Sequence, residues 1–461
     1  MVSVSKLVNS GIILAGQSVY QDLATPEQAS IEQFNIIRHL GGAAPYVQYS
    51  PAFGIGLEFP EECSIEQVQL MSRHGERYPT AKKSGKFKKA ISKIKEYGKT
   101  FKGDLSFLND YTYFVEDDYW LDRETSSENS QGLYAGTLNA MRHGAYFRSR
   151  YNDLFNENET LPIFTSNGER IYVTSEYFAR GFLGSDYSKE NVDYVILSED
   201  GENGLNSLTP RHGCSTYDKK ANEDLVDEFP KTYLKNIVKR WQQDNPGLEL
   251  KPKYVRHFFE MCAYELNVRG QSPFCDLFTP NDFVWFGYYQ DVDSYYSTGA
   301  GNNMTKPVGS VVLNASLKLL KETNQTQKIW LSFAHDSDWD IFHSALGLFE
   351  DDDLPIDKVD FDNKYKHAAI LPQGARVYTE KLKCNDESYV RYIVNDAVIP
   401  IPTCSDGPGF SCKLEDFEDY INDRIGDIDA GKVCDIPSNK SQEITFYWDY
   451  QKKNYTAPLE L

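Results

Sequence analysis

The hydrophobic positions divide the chain into short apolar runs that stop at turns and longer runs with helical spacing. Residues 67–72, Gln67-Val68-Gln69-Leu70-Met71-Ser72, predict a short strand entering a tight turn at Arg73-His74-Gly75. A second run, 161–165, ends in Ser166-Asn167-Gly168, and a helical pattern follows over 170–183. A third, 328–334, follows a helical pattern over 306–322 and ends at His335-Asp336. Strand, turn and helix in that order form an α/β unit whose turns face the C-terminal edge of the sheet, where such sheets bind ligands. Between these units the periodicity is mostly helical. Residues 82–102 place Phe87, Ile91 and Ile94 on one face, 131–151 form a good helix, and 105–160 as a whole reads as helical. Further helical patterns at 223–243, 255–267 and 281–298 suggest an α-rich insertion, whereas the last hundred residues alternate as strands do, at 375–381, 389–393 and 444–448. Residues 19–60 read as an extended arm, with Leu40-Gly41-Gly42-Ala43-Ala44-Pro45 as a bend that lacks nucleotide-loop spacing.

Charge sharpens this picture. A net −20 over 461 residues argues against nucleic acid or an anionic membrane as the main partner. No run approaches the ~20 apolar residues that a membrane-spanning helix needs. Within the acidic chain, 82–102 holds nine lysines and one acid, Glu96, so +8 sits against −28 elsewhere. Such a run is a solvated helix face or, starting two residues after Thr80, the lining of a substrate approach. The eight cysteines contain no C-x-x-C pair, which excludes a zinc ribbon or a thioredoxin-type site. Four disulfides can form, in any of 105 pairings. Sequons stand at Asn158, Asn303, Asn314, Asn324, Asn439 and Asn454. Cysteines and sequons together favour an oxidising, glycosylating secretory route. Residues 1–18, with Lys6 ahead of a short apolar run, read as a weak signal peptide or an N-terminal arm.

The candidate chemistry lies in the turns. Arg is the side chain best suited to a phosphate, because its planar fork binds two oxygens at once. In Arg73-His74-Gly75-Glu76-Arg77, one imidazole stands between two such forks, as a nucleophile aimed at a phosphoryl group would. Arg-His-Gly recurs at 142 and 211, and the equal spacing of 69 residues suggests a repeat. The flanking sequences refute it. Arg142 and His143 fall inside a helix, and Arg211 and His212 follow a proline in a loop ahead of Cys214, so both copies read as decoys. His335-Asp336 supplies the complement: His74 attacks, Arg73, Arg77 and His335 hold the phosphate, and Asp336 protonates the leaving oxygen.

The stretch Arg73-His74-Gly75-Glu76-Arg77-Tyr78-Pro79-Thr80 resembles the RHGxRxPT signature of histidine acid phosphatases, and Ala334-His335-Asp336 resembles their HD motif. The likeness is to the secreted fungal branch, phytases and yeast acid phosphatases, and runs from the turn at 40–42 to Asn454. It implies a phosphoglycerate-mutase-like α/β sandwich with a mostly α-helical inserted domain. The discontinuous catalytic domain would span 19–80, 161–184 and 306–461, and the cap 81–160 and 185–305. It also implies a phosphohistidine at His74, proton donation by Asp336, and no metal or cofactor. Arg170 is implied as a further phosphate ligand, with Arg180 a decoy. The implied disulfides are Cys63–Cys384, Cys214–Cys434, Cys262–Cys275 and Cys404–Cys412. Because the leaving-group acid must be protonated, an acidic optimum is expected. The expected substrate is a phosphomonoester, with phytate favoured because Lys82 and Lys83 would give an acidic protein a local positive field at its site. Broad phosphomonoesterase activity is the alternative. From other classes come a phosphoglycerate-mutase-type transferase and a noncatalytic glycoprotein that binds phosphorylated ligands. The expected location is outside the cell or in the cell-wall space, and a homo-oligomer is open.

Overall fold

A computed structural model describes residues 35–47, 55–132, 134–323 and 326–461. The expected signal peptide or arm at 1–18 and the sequon at Asn324 lie outside the described residues. In chain order, β1 (Cys63–Arg73) leads to helix α1 (Ala81–Lys95) and α2 (Gly136–Tyr151). Next come β2 (Leu161–Ser166), α3 (Glu169–Leu183) and β3 (Val192–Leu197). The longer helices that follow are α4 (Thr232–Asp244), α5 (Pro252–Arg269), α6 (Pro280–Ser297) and α7 (Thr305–Lys321). Then come β4 (Ile329–Ala334) and α8 (Asp336–Leu346). The chain returns through β5 (Arg376–Cys384), β6 (Glu387–Val394), β7 (Ala397–Ile399) and β8 (Cys412–Lys413).

The eight strands form one sheet in the order β3-β2-β4-β1-β5-β6-β7, with β8 on β6. From β3 to β1 the strands are parallel, and from β1 onward antiparallel. Period-2 alternation sorts the side chains between two layers. Val68, Leu70, Ile163, Leu331 and Phe333 pack with Phe147 of α2 and Phe178 of α3. On the other face, Met71, Phe164 and Trp330 pack with α7 and α8, in a core that continues into α1, α5 and α6 through Phe87, Phe259 and Phe286. Gln67 and Gln69 point into that layer yet are buried, because both donate to carbonyls of α7 (3.0 Å to Leu319, 3.1 Å to Ser316). α1 buries Phe87, Ala90 and Ile94 and leaves most of its lysines exposed, as the spacing predicts.

Four expectations change. The segment 185–305, read as a helical cap, contributes β3 to the main sheet beside β2. Residues 105–130 form only short 3-10 turns, Gly103–Asn109 and Asp118–Trp120. There Asn109 and Asp117 bond nearby backbone and compete with the helix. The helix expected over 223–243 is broken at Pro230 into Glu223–Asp227 and α4. The strand expected at 444–448 is a helical turn, Phe446–Asp449. Its aromatic rings pack edge-on against the sheet face, with Tyr447 4.8 Å from Phe164 and 5.6 Å from Trp330, instead of joining a sheet edge. Disulfides join Cys63 to Cys384, Cys214 to Cys434, Cys262 to Cys275 and Cys404 to Cys412.

Candidate active site

Strand register brings the chemistry together. Arg73 pairs with Ala334, Thr165 with Phe333 and Ser166 with Leu197, so β1, β4, β2 and β3 end level with one another. His74, His335, Arg170 and Glu199 follow these four ends within a few residues. They line one cavity of about 250 Å³ with Arg73, Arg77 and Asp336.

The turn after β1 is held by close packing that excludes a side chain. Gly75 donates its N–H to Thr174 Oγ1 at 2.9 Å, and a Cβ on Gly75 would lie 2.1 Å from Glu124 Oε1. A Cβ on Gly136, at the start of α2, would lie 2.3 Å from the Glu76 carbonyl. Two glycines thus let the turn and the helix end meet backbone to backbone. His74 is buried in this turn, and its Nδ1 lies 2.8 Å from the Gly75 carbonyl. A carbonyl can only accept, so Nδ1 carries the hydrogen and the lone pair is left on Nε2. Burial, then the charges of Arg73, Arg170 and Arg77, hold the His74 pKa well below the usual imidazole range, so the ring stays neutral in acid.

The cations around His74 crowd one another. Arg73 donates one nitrogen to the Gly42 and Leu371 carbonyls (2.7 and 2.6 Å) and pairs its other with Asp336 Oδ2 at 2.8 Å. Arg77 is placed by Gln373, which accepts from its backbone N–H at 2.8 Å, and its guanidinium lies over the Tyr264 ring. Burial, then Arg77, bring the Arg170 pKa down to about 10. Among the described residues, the buried Nε atoms of Arg73, Arg77 and Arg170 have no hydrogen-bond partner. Idle buried donors on mutually repelling cations are what an incoming dianion satisfies. His335 Nε2 donates to Glu199 (2.9 and 3.0 Å), and its Nδ1 edge faces Arg170 at 3.4 Å. Burial alone would raise Glu199, but the hydrogen bond and charge of His335 carry it down to about 2. His335 caps α8, so the positive end of that helix also faces the cavity. Asp336 opens the helix with a side chain one-third exposed. Burial works to raise its pKa, but Arg73 beside it, with Lys219, His367 and His74, holds it well below the usual carboxylate range.

His74, Asp336, Arg73, Arg77, Arg170 and His335 thus meet in one cavity, whereas Lys82 and Lys83 do not line it. Lys82 is exposed, and Lys83 is half-buried and engaged with Glu260 of α5 (2.5 Å). Of the two apparent decoys, His143 is buried and bonds the Tyr378 hydroxyl at 2.8 Å, outside the cavity. Arg211 and His212 are not outside it: both line the cavity wall. Their turn rests on the Glu199–Gly204 loop, where a Cβ on Gly213 would meet the Gly204 carbonyl at 2.1 Å. His212 Nδ1 donates to the Glu199 carbonyl at 2.6 Å. Sequence reasoning also missed Glu199, Gln373 and the Gly42 carbonyl. The signal for Glu199 is its place just after the run 192–197, which forms β3.

The family described as the histidine phosphatase superfamily, branch 2, matches residues 64–395. The chain is 56% identical to a Candida albicans phytase over 464 residues that cover 100% of both chains. It is 41% identical to a repressible acid phosphatase of Saccharomyces cerevisiae, over 99% of this chain and 97% of that one. Among solved structures, the D. castellii phytase superposes with a TM-score of 0.91 at 52% identity, over 96% of this chain and 97% of that one. A multiple inositol polyphosphate phosphatase of Bifidobacterium longum shares the fold alone, with a TM-score of 0.61 at 14% identity over 84% and 98%. Arg-His-Gly at the end of the central strand, met by His-Asp at the end of its parallel neighbour, accords with these matches: the chain belongs to branch 2 of the histidine phosphatase superfamily.

Proposed function

We propose that the protein is a secreted acid phosphatase that hydrolyses phosphomonoesters, phytate first among them, through a phosphohistidine. One observation carries the reading: His74, with Nδ1 tied to the Gly75 carbonyl, shares a cavity with Arg73, Arg77, Arg170 and Asp336. The substrate phosphate takes the idle donors of the three arginines, beside His335 at the positive end of α8. Nε2 of His74 forms a bond to phosphorus while the P–O bond to the alcohol breaks, and Asp336 gives its proton to the departing oxygen. Water then attacks the phosphohistidine, Asp336 takes the proton, and inorganic phosphate leaves. In the free enzyme Asp336 is ionised by its pairing with Arg73. A bound phosphate competes for Arg73 and adds negative charge beside the carboxylate, which raises its pKa into an acidic working range.

Phytate is supported by the phytase relatives and by a cavity with more cationic groups than one phosphate uses. The broad-specificity alternative is favoured by Lys83, which is engaged with Glu260 instead of the cavity. Secretion is supported by four disulfides and by the exposure of Asn158, Asn303, Asn314, Asn439 and Asn454. Among the described residues no helix is long and apolar enough to cross a membrane. The test is acid-quench trapping of a labelled phosphoenzyme, together with turnover of phytate and of an aryl phosphate. His74→Ala is expected to abolish both label and turnover. Full turnover by that variant would remove His74 as the nucleophile, and no turnover by the parent enzyme would favour the noncatalytic binder.

A further inference from the structure

The third Arg-His-Gly copy has no role in the chemistry above, yet it forms a wall of the same cavity. Arg211 is largely buried, and its Nε donates to Asp338 Oδ1 at 2.8 Å. Asp338 is itself buried, and its other oxygen accepts from the His335 N–H at 3.3 Å. The guanidinium is therefore fixed to the helical turn that carries His335 and Asp336. One nitrogen serves as the anchor. The two terminal nitrogens have no protein hydrogen-bond partner among the described residues and are not buried orphans, so that end of the fork is free to face the cavity. A plain structural anchor would need only one N–H. The same loop brings Lys219, which is exposed and makes no ion pair among the described residues. The charges of Arg211 and Lys219 both reach Asp336. Cys214–Cys434 ties this loop to the C-terminal region between the two residues.

Asp336 marks the side on which the alcohol departs, if the proposed mechanism holds, and this inference rests on that reading. Arg73 is taken by the scissile phosphate, so a further cation whose charge reaches Asp336 is left to meet the leaving group. We propose that Arg211, with Lys219 adding positive charge from the same loop, forms a second anion subsite that binds the phosphate adjacent to the scissile one on a vicinally polyphosphorylated alcohol. A fixed fork with its anchor already made loses little side-chain entropy on binding and suits a phosphate's oxygens. Lys219 adds a flexible, salt-sensitive charge.

The test compares two substrates that differ by one phosphate, 2,3-bisphosphoglycerate and 3-phosphoglycerate, by kcat/KM at acidic pH. The parent enzyme is expected to prefer the bisphosphate. Arg211→Gln is expected to reduce that preference about tenfold, through KM, as the loss of one charge-assisted contact does. Lys219→Gln is expected to reduce it by a smaller factor that vanishes at high salt. An equal loss on both substrates, or an unchanged preference, overturns the proposal. Should Arg211→Gln fail to fold, Lys219→Gln at its exposed position decides in the same way. A parent enzyme that prefers the bisphosphate but does not turn over phytate would leave the subsite standing and remove only the phytate reading.

Discussion

At the scale of single residues, the site separates two titrating groups by surrounding both with cations. Positive neighbours and burial act in the same direction on His74, which stays neutral and nucleophilic in acid. They act in opposite directions on Asp336, and the Arg73 contact wins, so the proton donor is unloaded until substrate arrives. Phosphate binding near pH 5 should therefore be accompanied by proton uptake. Calorimetry of a phosphate analogue in buffers of different ionisation heat should show it, and Asp336→Asn should remove it. The same variant should lose about 10²–10³-fold in turnover of alkyl phosphates. With an aryl phosphate, whose leaving group needs no proton, it should lose far less. An equal loss on both substrates would mean that Asp336 acts on the phosphate and not on the leaving oxygen. Arg73, Arg77, His74, His335 and Asp336 were legible as residues because two short motifs carry them. Arg211 was not, since nothing in its local sequence says that it faces the same cavity, and Glu199 had only its place after the run 192–197 to mark it.

At the scale of elements, the nucleophile turn depends on the meeting of β1 with the start of α2. Gly136→Ala would place a methyl group 2.3 Å from the Glu76 carbonyl, which is backbone and cannot turn aside. The expected outcome is at least a tenfold loss of kcat and a Tm lower by about 1–2 °C, the cost of roughly 1–2 kcal/mol of overpacking in a chain of this length. Unchanged kinetics and Tm would mean that the turn does not rely on this contact. Helix α8 carries a second dependence. Its buried Asp340 accepts from Thr298 Oγ1 (2.6 Å) and Tyr365 OH (2.7 Å), and burial pushes it up to about 7, with Asp336 and Lys219 as the charges that face it. A carboxyl raised above its unfolded value of ~3.8 holds its proton better in the fold. Its stability contribution is full below pH ~4 and is lost as pH rises through 7. Buried Asp291 on α6, pushed up to about 7, acts in the same sense. Histidines such as His39, His343 and His367, which burial holds well below the usual imidazole value, act in the opposite sense, so the check is a difference: the Tm of Asp340→Asn should gain on that of the parent as pH rises from 4 to 8. A difference that stays constant or shrinks over this range would contradict the assignment.

At the scale of the whole molecule, the cavity is assembled from segments far apart in the chain, and covalent links hold some of them in register. Cys63–Cys384 spans 321 residues and ties the start of β1 to the end of β5. Cys214–Cys434 spans 220 and fixes the loop that carries Glu199, Arg211 and His212 to the C-terminal region. Replacing the second pair with serines should cost about 2–5 kcal/mol of stability. It should also lower kcat/KM at temperatures where the circular dichroism of the sheet is unchanged, because the loop is released before the core. Loss of activity only together with global unfolding would remove the loop from this role. The lysine-rich α1 acts on the same scale. Its positive face looks outward, so it adds to the long-range field and not to the cavity contacts.

The sequence by itself determined what local order can encode. Alternation and helical spacing marked β1, β2, β4 and the apolar faces of α1, α2 and α3, and the two motifs named a phosphate grip with a nucleophile and an acid. Eight cysteines in a chain with six sequons pointed to an oxidising route but left 105 pairings open. Only the tertiary structure decided which of three Arg-His-Gly copies share a cavity. One copy ends the central strand, one is buried against Tyr378, and one is folded back beside the first by β3 and the loop after it. The reason is physical. A tripeptide fixes side-chain chemistry, whereas position relative to a partner hundreds of residues away depends on strand register, glycine contacts and buried ion pairs that no local pattern contains.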